Sequence, residues 1–185
     1  AGAGARVTNV ILNKTNAYIE NAVIESGGDV VITATDTSTI AATIGTGAGA
    51  LGAGAVGGAV AIGVAIAQNL IGYTTSGTAD PAEVQAYVKN ASIDAVGELS
   101  LTADADQTIS ATVVAGSVAI AAGIVAIGGA GAGASTRNRI KTWIKAFIDG
   151  DAPTDGEVSG ISAAGISLLA DDDSTITATT GSAAV

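Results

Sequence analysis

The run most suggestive of chemistry is Asp149-Gly150-Asp151-Ala152-Pro153-Thr154-Asp155-Gly156-Glu157. Asp149, Asp151 and Asp155 hold positions one, three and seven of a glycine-containing loop, a spacing that offers hard carboxylate oxygens to Ca²⁺, and Glu157 adds a fourth carboxylate. A full EF-hand loop closes with a bidentate Glu at its twelfth position, and Gly160 stands there instead. Calcium at Asp149, Asp151, Asp155 and Glu157 is one expectation; a solvated acidic insert that needs no cofactor is the other. The triplet Asp171-Asp172-Asp173 reads as a charged turn that discourages edge pairing.

Little else could do chemistry. The 185 residues contain no His and no Cys, so the imidazole base, the thiol nucleophile, the zinc cluster and the disulfide framework are all excluded. No catalytic residue is assigned, and the chain is not expected to be an enzyme. Seven basic residues against 17 acidic ones leave a net charge of −10, which repels nucleic acid and anionic membrane. Four of the seven, Arg137, Arg139, Lys141 and Lys145, lie close together and partly alternate with Ile140 and Ile144. They read as a solvated strand face, with a neighbouring copy's acidic loops as an alternative partner.

The elements that would position these groups are set by a repeat. Ala1-Gly2-Ala3-Gly4-Ala5 followed by Asn9 returns as Ala130-Gly131-Ala132-Gly133-Ala134 followed by Asn138, with Asn69 as the intermediate copy. Ala17-Tyr18-Ile19-Glu20-Asn21 returns as Ala86-Tyr87-Val88-Lys89-Asn90 and as Ala146-Phe147-Ile148-Asp149-Gly150. The core period is 60 residues, and the whole chain, 1–185, reads as one continuous array: the end of a repeat over 1–16, copies over 17–76 and 86–145, and the start of another over 146–185. Inserts fall near 76–84 and 149–158, as expected where a stacked repeat confines its variation to surface loops. The opening has neither Met nor a basic start, so the chain reads as an excerpt without a signal peptide.

The repeated blocks are rich in Val, Ile and Thr and punctuated by Gly, which predicts short strands. Two long stretches, between Asp36 and Asp80 and between Asp106 and Arg137, carry no charge at all. In the first, Val60, Ile62, Val64 and Ile66 alternate with Ala61, Gly63, Ala65 and Ala67, which predicts a strand with one branched face and one nearly bare face. Gly45, Gly49, Ala53, Gly57, Ala61 and Ala65 also recur every fourth residue, the small-xxx-small spacing of closely packed helices. The expected fold is therefore an all-β repeat solenoid, parallel β-helix-like, with Gly/Ala-rich strands. The alternative is a mixed solenoid with one apolar Gly-zipper helix per repeat. A spanning segment is disfavoured, because no Lys/Arg asymmetry or aromatic belt flanks the runs. In a solenoid, aligned positions stack, so Asn9, Asn69 and Asn138 are expected to form an amide ladder, and Tyr18, Tyr87 and Phe147 an aromatic one.

The run Ala67-Gln68-Asn69, then Ala86-Tyr87-Val88-Lys89-Asn90-Ala91-Ser92-Ile93, then Gly97-Glu98-Leu99-Ser100-Leu101-Thr102-Ala103 resembles the repeat regions of large bacterial surface adhesins. These are the filamentous-haemagglutinin-like and leukotoxin-like proteins secreted by autotransporter or two-partner routes. The resemblance implies a β-solenoid stalk on the cell exterior, folded after secretion, and transfers no receptor-binding motif. The functional expectation is a structural segment of an extracellular bacterial fibre or adhesin stalk that self-associates through Gly/Ala faces, its partner being itself or neighbouring repeats. The alternatives are a membrane-active or pore-forming Gly-zipper repeat and a calcium-dependent binding module.

Overall fold

The computed structural model describes residues 1–150 and 160–185. They form fifteen strands in three coils. The first coil comprises β1 (Gly2–Ile11), β2 (Lys14–Glu20), β3 (Val23–Ser26), β4 (Val30–Asp36) and β5 (Thr39–Ala53). The second comprises β6 (Val56–Ile71), β7 (Ala82–Lys89), β8 (Ser92–Ala95), β9 (Glu98–Ala105) and β10 (Thr108–Ala122). The third comprises β11 (Val125–Ile140), β12 (Thr142–Asp149), β13 (Ile161–Ser162), β14 (Gly165–Asp172) and β15 (Thr175–Ala184). Each strand pairs in parallel with its counterparts in the adjoining coils, giving five three-stranded sheets with the middle coil at the centre of each. The chain is a parallel β-solenoid.

The long apolar runs of the charge-free stretches are strands, β5, β6, β10 and β11, and no Gly-zipper helix occurs among the described residues. Among the described residues no helix is long and apolar enough to cross a membrane. Both periodicities in the sequence have one origin. Residues four apart in a strand share a face just as residues two apart do, so Gly57, Ala61 and Ala65 all point inward from β6.

The coil has two parts. The sheets of β2-β7-β12, β3-β8-β13 and β4-β9-β14 enclose an apolar core in which Val84, Val88, Ile93, Leu99 and Leu101 are fully buried. The two long-stranded sheets, β1-β6-β11 and β5-β10-β15, pack face to face as a two-layer arm. Ile40, Ile71, Ala82 and Ile109 form the junction between arm and body. Inside the arm the contact is built from Ala65, Ala67, Val113, Ala115 and Ile44, and three glycines set its closeness. A Cβ on Gly63 would stand 2.4 Å from the carbonyl oxygen of Gly116, one on Gly57 would stand 2.5 Å from that of Ala122, and one on Gly52 would stand 2.1 Å from that of Gly58.

The bare face of β6, expected to pack within or between chains, is buried against the opposite sheet of the same chain. The branched face of β6 looks outward instead, and Val60, Ile62, Val64 and Ile66 are exposed. The cause is spacing. Where Gly57 and Gly63 meet the opposite backbone the sheets leave no room for branched side chains, so alternation sends those of β6 outside, while Ile44 and Val113, nearer the body, still fit between the layers.

The inserts leave the frame intact. Asn9 and Asn69 are 60 residues apart and Asn69 and Asn138 are 69 apart, yet both pairs sit in register. The difference is taken up by a loop after β6, where Thr74, Ser76 and Thr78 bond one another.

Candidate functional site

Asn69 lies on the inward face of β6 where arm meets body and is fully buried. Asn9 Nδ2 donates to Asn69 Oδ1 at 2.8 Å, and Asn69 Nδ2 donates to Asn138 Oδ1 at 2.8 Å. Thr136 Oγ1 adds a second donor to Asn138 Oδ1 at 3.1 Å. The ladder is polar: it presents an amide acceptor at its Asn9 end and an amide donor at its Asn138 end. Beside Asn9 an open hollow of about 410 Å³, lined by Thr8, Val10, Ile11, Thr39, Ile40 and Ala41, exposes the interior at the free edge of the first coil.

Tyr18, Tyr87 and Phe147 stack on the outer face of the sheet β2-β7-β12. The ring centroids are 5.1 and 5.0 Å apart and both interplanar angles are 8°. Because the rings stack along the coil axis, their faces cover one another and mainly their edges meet solvent. A sugar has no lateral platform here; the only uncovered ring faces are at the ends of the stack.

At the corner after this sheet, Asn21 (φ 53°), Asn90 (φ 47°) and Gly150 (φ 73°) all adopt the left-handed conformation. Asn and Gly are the residues that enter it at least cost. Asn90 Nδ2 donates to Asn21 Oδ1 at 2.5 Å, and the Asn90 N–H donates to the Asp149 carbonyl at 2.8 Å. Asp149 therefore ends a strand and acts there through its backbone. Asp151, Asp155 and Glu157 lie outside the described residues. Among the described residues no group of three or more carboxylates is placed to hold a metal ion.

A second polar corner precedes the arm. Asp36 Oδ1 accepts from the Ser38 N–H at 3.1 Å and from Ser38 Oγ at 2.6 Å, while Asp36 Oδ2 accepts from Gln107 Nε2 at 2.5 Å. Asn13 Nδ2 donates to Ser38 Oγ. In the third coil Asp172 receives the same pair of bonds from Ser174, plus one from Thr142 Oγ1 at 2.7 Å. Burial alone would raise the Asp36 carboxyl pKa, but the bonds from Ser38, Asn13 and Gln107 outweigh it and hold the group below the usual carboxylate range. Asp172 is shifted the same way by Ser174 and Thr142 against its desolvation. The repeated Asp-x-Ser-Thr-Ile, at Asp36–Ile40 and Asp172–Ile176, is the sequence signal for this corner that the reading of Asp171-Asp172-Asp173 as a charged turn did not use.

The basic strip lies on the outer side of β11 and β12. The Arg139 guanidinium sits 3.7 Å above the Tyr73 ring, and the Lys145 ammonium 3.9 Å above that of Trp143. The insert carrying Tyr73 leans over the strip, with Gly77 close to Arg137 and Arg139. Among the described residues the ion pairs are Lys14–Glu83 at 3.1 Å and Lys89–Glu20 at 3.6 Å, neither of which involves the strip. Comparison with protein-family models, curated proteins and solved structures finds no match.

Proposed function

We propose that this chain is a structural segment of an extracellular bacterial fibre or adhesin stalk, with no enzymatic role, whose output is length and stiffness. The observation that carries the reading is the five-fold parallel register. Every strand of the middle coil is paired on both sides, and the polar ladder through Asn69 ends in a donor on one side and an acceptor on the other. An end of this kind is completed by another coil, from further repeats or from a second copy, and each coil extends the rod without changing its section. The resemblance to adhesin repeats supports a location outside the cell, where the acidic exterior would keep the rod dispersed.

The test is solution scattering on two copies joined in tandem. Three added coils at ~4.8 Å each should lengthen the particle by about 14 Å at constant cross-sectional radius. A pair of tethered compact bodies, with a thicker section, would overturn the reading. Protease shaving of intact cells tests the location.

A further inference from the structure

The outer face of the arm sheet β1-β6-β11 carries an aliphatic ridge on its middle strand. Val60 is 60% exposed, Ile62 52% and Val64 39%. The residues beside them in register on β11 are Gly129, Gly131 and Gly133. One step toward the tip the sizes reverse, with Gly58 on β6 beside Ile127 on β11. At four successive outward levels, then, one strand presents a branched side chain and its neighbour presents none. These outward glycines are not required by the fold: a Cβ at Gly58, Gly129, Gly131 or Gly133 would meet nothing within 4 Å. Glycine inside a strand weakens it and marks places where another backbone comes close. Inside the arm that backbone is the opposite sheet; outside it the described residues supply none.

We infer that this face docks on the same face of a second copy, related by a twofold axis parallel to the strands and midway between β6 and β11. That rotation keeps each level and exchanges the two strands. Ile62 of one copy then enters the gap over Gly131 of the other, Val64 that over Gly133, Val60 that over Gly129 and Ile127 that over Gly58, each contact made twice as an isologous interface requires. The axis sets Arg137 and Arg139 beside their own counterparts at the body end, so the contact stops short of them, at the insert that rises over these arginines. A bilayer is the poorer occupant. A bilayer needs no bare neighbour beside each branched side chain, so it leaves the matched alternation of β6 and β11 unexplained.

Strand rise and strand spacing give this face an area on the order of 400 Å² per copy, in the range of weak contacts. Coils joined along one axis would repeat the contact and multiply it. The inference rests on the stalk reading in that respect, and names the surface through which stalks would associate.

Sedimentation equilibrium between about 10 µM and 1 mM tests it. The chain should form a dimer, and Gly131→Val with Gly133→Val should weaken that dimer at least ~tenfold while leaving the circular dichroism unchanged. That variant makes the face more apolar, so association equal to or stronger than the parent's would mean nonspecific stickiness and overturn the proposal. A parent chain that stays monomeric, or that binds neutral phosphatidylcholine vesicles in preference to itself, overturns it too. Because the chain has no cysteine, Ile62→Cys mixed with Gly131→Cys should cross-link faster than either alone; equal rates would reject the register. The scattering test of rod growth is independent, so either reading can fail without the other.

Discussion

Gly63 faces the carbonyl of Gly116 across the two layers of the arm, at a distance that admits no side-chain atom between them. The pair fixes how close the sheets lie. Gly63→Ala is therefore expected to cost about 1–3 kcal/mol through forced separation of the layers. Gly131→Ala, on the open side, should be neutral or stabilise by about 0.5–1 kcal/mol. Urea denaturation of the two variants gives the comparison; equal effects would contradict the assigned faces.

The amide ladder should behave as a unit. Asn69→Leu keeps the volume but leaves the amides of Asn9 and Asn138 without their partner, and a loss of about 1–3 kcal/mol is expected. Amide hydrogen exchange should quicken in all three arm strands, β1, β6 and β11, if the loss is transmitted through the ladder.

The left-handed corner sorts substitutions by backbone rather than by side chain. Asn90→Ala should destabilise by about 1–2 kcal/mol, because alanine enters the left-handed region at a cost. Asn90→Gly should retain most of the stability, as Gly150 does at the same position of the third coil. A thermal melt in which the two substitutions behave alike would show that the Asn90–Asn21 bond, not the conformation, is what matters.

Acid should loosen the corner before the arm. Asp36 and Asp172 titrate below their ordinary value in the folded chain. Their contribution is fully present above the unfolded carboxylate pKa of about 3.9 and is lost as the pH falls through the lower folded values. Melting temperature should fall below about pH 4, and Asp36→Asn should flatten part of that fall while lowering stability at neutral pH. An unchanged acid limb in the variant would rule Asp36 out as a source of it.

Much of the coil was legible in the sequence because a stacked repeat writes its register as recurrence. Asn9, Asn69 and Asn138, and Tyr18, Tyr87 and Phe147, could be aligned before any fold was considered. Strand could be chosen for the apolar runs because Val60 to Ala67 alternates strictly. That the Gly/Ala side of that strand packs was legible; that it packs inside one chain was not. Burying the branched side is the ordinary outcome, and only the approach of Gly63 to Gly116, between residues more than fifty positions apart, reverses it. The cation–π contact of Arg139 was hidden for a related reason, since Tyr73 belongs to an insert that only the second coil carries. Lys145 and Trp143 were within reach, two apart on one strand and so on one face.

The coil accommodates successive spacings of 60 and 69 residues between ladder partners while the three asparagines keep equal bond lengths. Contour length and pitch are therefore separate variables in this architecture. A segment can be spliced in after β6, enlarged or exchanged, and the molecule grows sideways at that height without losing its place along the axis. Successive coils form a ruled scale on which different loops are hung at fixed intervals, so the spacing between displayed groups is inherited from the backbone while their identity is free to drift.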